Sequence, residues 1–188
     1  MMRIITGKAR GVKLNSPEGL ETRPTAEAAK EGLFSAIQFE IDGRKVLDLF
    51  GGTGQLALEA LSRGADSAVI VDSSREASAV IRENAQKTKL MPQCRILTAD
   101  WKEALKMLRG RGNTHETFDL IFLDPPYAEG ILDEVLKAVL DAELVAENAI
   151  IVCESDRDGV PAPLDGFRQK MHRYGKAYIS IFRKENVE

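Results

Sequence analysis

A chain of 188 residues, of which 44% are hydrophobic, is long enough to form one compact domain with a sizeable buried core. The longest uninterrupted apolar run, Ala149–Cys153, has five residues, which excludes a membrane-spanning helix. The first residues lack the apolar stretch of a secretory signal, and the net charge of −3 does not by itself indicate a nucleic-acid partner.

The charges are nevertheless segregated along the chain. Residues 1–17 carry four basic and no acidic side chains, and residues 167–184 carry six basic and no acidic side chains. The remainder of the chain has a net charge of −13. This distribution predicts a basic face on an acidic body. The alternative is that these lysines and arginines are solvated guards of exposed strand edges.

The N-terminal region predicts a short β-hairpin, with strands at Arg3–Thr6 and Val12–Leu14 around Gly7 and Gly11. A helix over 25–37 is expected to follow the turn Arg23-Pro24-Thr25. We therefore divide the chain into a hairpin extension at 1–24 and a main domain at 25–188.

The central region alternates apolar strand-like runs with helical patterns, as in a parallel α/β sheet. Helices are predicted near 54–63, 75–88, 101–109 and 130–142, and Ser73–Glu76 resembles a capping box for the second. A closing hairpin is expected at Phe167–Tyr174 and Ala177–Phe182. The predicted central strands are Val46–Leu49, Ala68–Asp72, Cys94–Thr98, Leu120–Leu123 and Ala149–Cys153.

A glycine-rich turn follows the first central strand, at Asp48-Leu49-Phe50-Gly51-Gly52-Thr53-Gly54. Glycines allow a sharp turn and close approach of a ligand, and the following helix start favours an anionic group. Asp72, after the second strand, could accept hydrogen bonds from ribose hydroxyls, and Asp100, after the third, from an adenine amine. Together they predict a nucleoside-containing cofactor and leave a methyltransferase and a dehydrogenase both open.

The sequence Asp124-Pro125-Pro126-Tyr127, directly after the fourth strand, decides between these two. Two prolines make the loop rigid and remove two N–H donors, so that the Pro125 carbonyl is free to accept. A carboxylate, a carbonyl and an aromatic ring then meet at one point. They suit an exocyclic base amine, which two acceptors can hold with its lone pair toward a sulfonium methyl, while Tyr127 stacks on the base.

Other chemistries find little support in the sequence. His115 and His172 are isolated, and no Cys or His spacing suggests a metal site, so no metal is expected. Methylation at a pyrimidine ring carbon needs a cysteine nucleophile in a loop. Cys94 and Cys153 lie within predicted strands and are expected to be reduced and buried.

The chain resembles the bacterial family that methylates guanine N2 in small-subunit (16S) ribosomal RNA, the ribosomal small subunit methyltransferase D family. The glycine-rich turn and the Asp124–Tyr127 motif are shared with many methyltransferases. The chain also matches the family at Glu31-x-Leu33-Phe34 and in the run Glu59–Ala65. The segments that single out this family are Arg3-Ile4-Ile5-x-Gly7-x-x-Arg10-Gly11-x-Lys13-Leu14 and the turn Arg23-Pro24-Thr25.

The resemblance implies a Rossmann-like S-adenosylmethionine-dependent methyltransferase fold, with a mostly parallel seven-stranded sheet and a C-terminal antiparallel hairpin. It also implies a cytoplasmic enzyme that acts on ribosomal RNA, alone or within an assembling small subunit, with no membrane partner. The implied cofactor residues are Phe50, Gly51, Gly52, Gly54, Asp72, Ser73, Asp100 and Trp101, and the implied base contacts are Asp124, Pro125, Pro126 and Tyr127. Asp48, at the start of the glycine-rich turn, is expected at the cofactor as well. The RNA contacts expected in the N-terminal region are Arg3, Lys8, Arg10, Lys13, Arg23 and Thr25.

Two alternatives remain at this point. A DNA adenine-N6 methyltransferase would keep every core motif, but it would normally need a target-recognition insert for which 188 residues leave no room. A non-catalytic nucleotide-binding module for ribosome assembly would keep the glycine-rich turn but would have no use for the Asp124–Tyr127 motif.

Overall fold

The computed structural model describes residues 2–17, 24–110, 116–126, 131–156 and 158–185. The first helix, the central elements and the closing strands follow one another in the order α1 (Pro24–Ala36), β1 (Lys45–Asp48), α2 (Gln55–Ser62), β2 (Ser67–Asp72), α3 (Arg75–Lys87), β3 (Cys94–Thr98), α4 (Trp101–Arg109), β4 (Phe118–Leu123), α5 (Ile131–Asp141), β5 (Val145–Ser155), β6 (Phe167–Tyr174) and β7 (Ala177–Lys184). One turn of 3₁₀ helix at Met91–Gln93 precedes β3.

Seven strands form one sheet in the order β3-β2-β1-β4-β5-β7-β6. The first five in that order are parallel, and β7 pairs antiparallel with both β5 and β6. The strand order reverses between β1 and β4, and in open α/β sheets ligands bind outside the carboxyl ends of the strands at such a switch point. The predicted α/β sheet with its closing hairpin is confirmed.

Two apolar cores cover the two faces of the sheet. The first core packs α1, α2 and α3 on one face, with Phe34 and Phe122 among its fully buried side chains. The second core packs α4 and α5 on the other face, around Leu47, Ile121 and Ile151. Successive residues of a strand point to opposite faces, so this division fixes which strand-end side chains share a face.

The N-terminal segment has less strand pairing than the predicted hairpin. Its two arms run antiparallel, with one β-bridge between Arg3 and Lys13 and hydrogen bonds such as Ile4 N–H to the Val12 carbonyl at 3.0 Å. The N–H groups of Ile5 and Thr6 instead donate to the fully buried Glu59 carboxylate of α2, at 2.7 and 3.0 Å. The Glu59 side chain of α2 therefore accepts from two amides that could otherwise pair with the other arm of a hairpin.

The same segment is fixed to α2 at its tip. Ser62 accepts from Lys8 N–H through its carbonyl and from Ala9 N–H through its hydroxyl, both at 2.9 Å. The Ser62 hydroxyl also donates to the Thr6 carbonyl at 2.6 Å. A Cβ on Gly7 would lie 1.8 Å from the Ser62 carbonyl oxygen, so glycine is required for this close approach.

Helix starts and strand ends differ from the predictions by small amounts. The N-cap of α3 is Ser74, whose hydroxyl accepts from Ala77 N–H, and not Ser73 as the capping-box interpretation had it. Strand β5 begins at Val145, four residues before the predicted Ala149. The early part of β5 pairs with β4, and the register between the two strands shifts between Phe118 and Leu120. An apolar pattern does not reveal such a shift.

Candidate active site

The glycine-rich turn joins β1 to α2 and is held against β2. Gly51 N–H donates to the Val71 carbonyl at 2.7 Å, and Gly54 N–H to the Gly51 carbonyl at 2.7 Å. Gly52 and Gly54 have positive φ values of 57° and 78°, which glycine adopts without strain. Gly54 is also the N-cap of α2. The turn therefore has a defined shape in the protein alone.

Gly51 and Gly52 have different surroundings. A Cβ on Gly51 would lie 2.6 Å from Ile70 Cγ2, so packing against β2 requires glycine there. A Cβ on Gly52 would have no heavy atom within 4 Å, so the backbone at this position faces open space. An open backbone above a switch point is where a ligand can approach closely.

Asp72, at the end of β2, is the residue predicted to bind a ribose. Its Oδ2 accepts from Gly52 N–H and its Oδ1 from Ser74 N–H, both at 2.8 Å. The carboxylate thus braces the glycine-rich turn against the start of α3. Each carboxylate oxygen has a second lone pair, so these bonds leave acceptor capacity for hydroxyl groups.

Asp48 closes β1 directly below this turn and is buried, with only 1% of its surface exposed. Neither carboxyl oxygen has a hydrogen-bond partner among the described residues. Burial raises the pKa of Asp48 to about 7, with a smaller contribution from Asp72, while the N–H groups of Phe50 and Ala57 oppose the rise. The Phe50 and Ala57 N–H groups thus face the carboxyl without reaching hydrogen-bond geometry, so its oxygens keep free acceptor capacity.

Asp124 and Pro125 follow β4, the strand on the other side of the switch point. Pro125 is buried and Pro126 is exposed. None of the hydrogen bonds between described residues reaches the Pro125 carbonyl. Burial raises the pKa of Asp124 well above its ordinary value, and the neighbouring carboxyls of Glu154 and Asp48 raise it further. Tyr127 lies outside the described residues.

Glu154 is a member of this site that sequence reasoning missed. Leu123 pairs with Cys153 in parallel register, so the next residues, Asp124 and Glu154, lie side by side. Burial raises the pKa of Glu154 as well. The signal that could have found it is its place one residue beyond an apolar run, on the strand next to the Asp124 motif.

Four carboxyl groups consequently share one face at the carboxyl edge of the sheet. Asp48, Asp72, Asp124 and Glu154 each lie two residues beyond a side chain of the first core: Val46, Ile70, Phe122 and Val152. We call these four residues the acidic row. Among the described residues, no group of three or more His, Cys, Asp or Glu side chains is arranged to hold a metal ion.

Other predicted cofactor residues have local roles as well. Asp100 is exposed and caps α4, since its side chain accepts from Lys102 N–H at 2.9 Å. Trp101 packs partly buried against the second core, with the Lys102 ammonium 5.0 Å from its ring centroid. Phe50 is also partly buried there, and Ser73 is exposed beside Asp72. The capping role of Asp100 is compatible with a further contact but does not require one.

The cysteines are both free thiols, Cys94 partly buried at the start of β3 and Cys153 buried within β5. Burial raises the pKa of the Cys94 thiol to about 12, and burial raises that of Cys153 further above its ordinary value. A thiol with a raised pKa is a poor nucleophile. Covalent catalysis through either cysteine is therefore disfavoured.

The predicted RNA contacts of the N-terminal segment are exposed: Arg3, Lys8, Arg10 and Lys13. The segment extends along α2, with Met2 Sδ accepting from Thr53 of the glycine-rich turn and Lys8 at the far end of α2. The Lys8 ammonium donates to Gln93, before β3. Lys8 and Arg10 thus lie at the end of the segment remote from the acidic row. Arg23 and the Thr25 side chain lie outside the described part of the chain.

Comparisons with known proteins identify relatives over nearly the whole chain. The family described as Conserved hypothetical protein 95 matches residues 2–183. YlbH from Bacillus subtilis is 34% identical over 186 residues, covering 97% of this chain and 99% of YlbH. Ribosomal RNA small subunit methyltransferase D from Escherichia coli is 31% identical over 188 residues, covering 98% of this chain and 90% of that protein.

A solved structure has the same architecture. The yhhF protein from Escherichia coli superposes with a TM-score of 0.84 at 28% identity, covering 99% of both chains. The fold is the Rossmann-like fold of S-adenosylmethionine-dependent methyltransferases. By the match over residues 2–183 and these near full-length identities, the chain belongs to the ribosomal RNA small subunit methyltransferase D family.

Proposed function

We propose that this protein transfers a methyl group from S-adenosyl-L-methionine to the exocyclic N2 of a guanine in 16S ribosomal RNA. The observation that carries the proposal is the position of Asp124 and Pro125 across the switch point from the glycine-rich turn. The name of the Escherichia coli relative, a small-subunit ribosomal RNA methyltransferase, supports the substrate class. The cytoplasm, where ribosomes are assembled, is the compartment we propose.

The cofactor-binding residues we propose are those named from the sequence, from Asp48 to Trp101. The open backbone at Gly52, the spare lone pairs of Asp72 and the unpartnered Asp48 carboxyl all fit a nucleoside with cationic groups. S-adenosylmethionine, when bound, supplies an electrophilic methyl group next to a positive charge. A cation bound there would favour the ionised forms of the acidic row, whose negative charge would then complement it.

The target amine would be held by Asp124 and the Pro125 carbonyl. The N2 nitrogen of guanine is a weak nucleophile because its lone pair is delocalised into the ring. Two acceptors on its two N–H bonds favour a tetrahedral nitrogen whose lone pair is directed at the methyl group. Tyr127 is proposed to stack on the base.

Methyl transfer leaves one proton to be removed from the nitrogen, and Asp124 is the carboxylate that takes it up in this proposal. Because Glu154 and burial raise the pKa of Asp124, its carboxylate is a stronger base than an exposed aspartate. Positioning and charge complementarity then account for the acceleration, and no metal is invoked.

The N-terminal segment is proposed as an RNA-contacting extension through Arg3, Lys8, Arg10, Lys13, Arg23 and Thr25. Phosphate contacts release counterions, so RNA affinity should fall as salt rises. Reversal of Arg10 and Lys13 to Glu should weaken RNA binding and leave binding of S-adenosylhomocysteine unchanged. Unchanged RNA affinity in this double variant would assign these charges to a solvated surface.

The test of the proposed function is transfer of a labelled methyl group to 16S ribosomal RNA or small-subunit particles, followed by digestion to nucleosides and mass spectrometry. We expect N2-methylguanosine. N6-methyladenosine would contradict the guanine assignment and favour an adenine methyltransferase. No transfer to RNA or particles, with S-adenosylmethionine bound, would favour a non-catalytic module.

The matched variants are Asp124→Ala and Asp141→Ala, since Asp141 is an exposed aspartate at the end of α5. Asp124→Ala should abolish transfer while cofactor and RNA still bind, because the carboxylate matters most as the amine gains positive charge. Asp141→Ala should behave as wild type. Tyr127→Phe should keep substantial activity, and Tyr127→Ala should lose roughly 1–3 kcal/mol of stacking. Normal turnover of Asp124→Ala would refute the role of the motif.

A further inference from the structure

A concave surface that includes none of the acidic row lies between α1 and the edge strand β6. It is an open groove of about 790 Å³. One wall is formed by Gly32, Ser35 and Ala36 of α1, and the other by side chains of β6. We call this the α1–β6 groove. Nothing in the methyl-transfer chemistry above uses it.

The alternation of side chains along β6 determines what faces this groove. Phe167 packs against the second core, so the residues in phase with it are directed away from α1. Tyr174 packs against the first core, on the same face as α1. The side chains in phase with Tyr174 are Arg168, Lys170 and His172, and all line the groove.

The groove carries an excess of positive charge. Arg168 and Lys170 are exposed, and neither forms an ion pair among the described residues. Arg183 also lines the groove but is neutralised by Glu40 at 2.6 Å, the one acidic side chain among the described lining residues. Two unpaired cations along one strand are suited to an anionic polymer.

Two aromatic rings adjoin these cations. The rings of His172 and Tyr174 are nearly parallel, 14° apart in orientation, with centroids separated by 6.4 Å. Burial lowers the pKa of His172, and the nearby charges of Lys170 and Arg183 lower it further, so the imidazole is neutral at physiological pH. Gly32 leaves room for Tyr174, because a Cβ there would lie 2.1 Å from its ring.

One end of the groove lies at the carboxyl edge of the sheet, the same edge as the acidic row. Strand β6 runs in the same direction as β5, because both are antiparallel to β7. Tyr178 of β7 pairs with both Ser155 of β5 and Arg173 of β6. Tyr174 is therefore at the carboxyl edge, two strands from Glu154, and Arg168 lies about 20 Å away along the strand.

We propose that the α1–β6 groove binds a single-stranded segment of RNA next to the target nucleotide, with Arg168 and Lys170 on its phosphates and His172 and Tyr174 stacked on its bases. A positive groove that follows the backbone, with aromatic rings for the bases, is a common way to bind single strands. This inference rests on the proposed function in one respect, that the substrate is RNA.

The test compares two double charge reversals by fluorescence anisotropy with a labelled single-stranded RNA oligonucleotide over a range of salt. Arg168→Glu/Lys170→Glu should lower the affinity tenfold or more and reduce the slope of log K against log salt by about 1.4, or about 0.7 per lost phosphate contact. The control is Lys106→Glu/Lys137→Glu, which reverses exposed lysines of α4 and α5 on the opposite face and should match wild type.

A third variant separates stacking from charge. His172→Ala should lower the affinity by roughly fivefold or more while leaving the salt slope unchanged, since it removes a ring and no charge at neutral pH. Binding of S-adenosylhomocysteine, measured by calorimetry, reports whether each variant is folded and should be unchanged in all of them.

Several outcomes would overturn the groove proposal. These are a wild-type protein with no affinity for single-stranded RNA, or an Arg168→Glu/Lys170→Glu variant with wild-type affinity and slope. Loss of binding to small-subunit particles with RNA binding intact would instead indicate a ribosomal protein as the partner. If wild type binds RNA through the groove but never methylates it, the proposed function fails while this inference stands.

Discussion

Asp124 lies beside Glu154 at the carboxyl edge of the sheet, because Leu123 and Cys153 are paired in parallel register one residue earlier. Both residues are partly buried, and burial raises the pKa of each carboxyl. The proximity of Glu154 raises the pKa of Asp124 further. The basicity of the proposed amine-binding carboxylate is therefore set first by burial and then by a neighbour on another strand.

Glu154→Gln should change the pH dependence of methyl transfer. Transfer requires ionised Asp124, so the rate should rise with pH through the raised pKa of that group. The glutamine cannot be negatively charged, so the pKa of Asp124 should fall and the rising limb should move to lower pH. The rate of transfer in single turnovers as a function of pH measures this shift.

The matched control for this change is Glu147→Gln, an exposed glutamate near the start of the same strand. It should leave the profile where wild type has it. If the rising part of the rate–pH profile does not shift in Glu154→Gln, the effect of Glu154 on the pKa of Asp124 is contradicted, whatever the maximal rate. A merely structural role for Glu154 would alter stability without moving the limb.

Asp48→Asn should flatten the dependence of stability on pH. The folded-state pKa of about 7 exceeds the ordinary value of 3.8, so the folded protein retains a proton that the unfolded chain releases. The resulting stability is fully present below about pH 4 and is lost as pH rises through 7. The asparagine has no such titration, so its free energy of unfolding should fall less over this interval.

Urea unfolding at several pH values measures the difference between Asp48→Asn and wild type. A rise of about 3 pKa units, at roughly 1.4 kcal/mol each, sets an upper limit of about 4 kcal/mol on it. Asp141→Asn, at an exposed position, should follow wild type. Parallel pH curves for Asp48→Asn and wild type would show that Asp48 does not titrate in this range.

The sequence predicts the central sheet well, and with it the places of the glycine-rich turn and Asp124-Pro125 at strand ends, because these depend on local patterns. Apolar runs mark buried parallel strands, and the glycine-rich turn and Asp124-Pro125 follow such runs directly. The roles of Glu154 and Glu59 were not predicted, because their partners lie far away in the sequence. Glu154 lies beside Asp124, which follows the neighbouring strand, and Glu59 accepts from Ile5 and Thr6 of the N-terminal segment. The place of Glu154 directly after an apolar run was a usable signal for it, whereas nothing near Glu59 in the sequence indicates its partners.

Asp72→Ala should weaken binding of S-adenosylmethionine for two reasons. A ribose would lose its acceptor, and Gly52 N–H and Ser74 N–H would lose theirs. Hydrogen bonds to a charged group contribute on the order of 1.5–3 kcal/mol each. Calorimetry should show at least a tenfold loss of affinity, and NAD should bind neither protein. Tight NAD binding by wild type would contradict the cofactor assignment, and unchanged affinity in the variant would remove Asp72 from the site.

Gly7→Ala and Gly11→Ala form a matched pair that tests how the N-terminal segment is held. Both glycines have similar positive φ values, 86° and 83°, so an alanine costs roughly 1–2 kcal/mol of backbone strain at either position. Only at Gly7 does the new Cβ meet protein, 1.8 Å from the Ser62 carbonyl oxygen, whereas none of the described atoms lies within 4 Å at Gly11.

Gly7→Ala should therefore break the contacts of Ser62 with Lys8 and Ala9, and hydrogen exchange should accelerate at amides of residues 4–14. Gly11→Ala should lower the melting temperature with little change in that exchange. Equal exchange in the two variants would show that the close approach to α2 does not hold the segment in place.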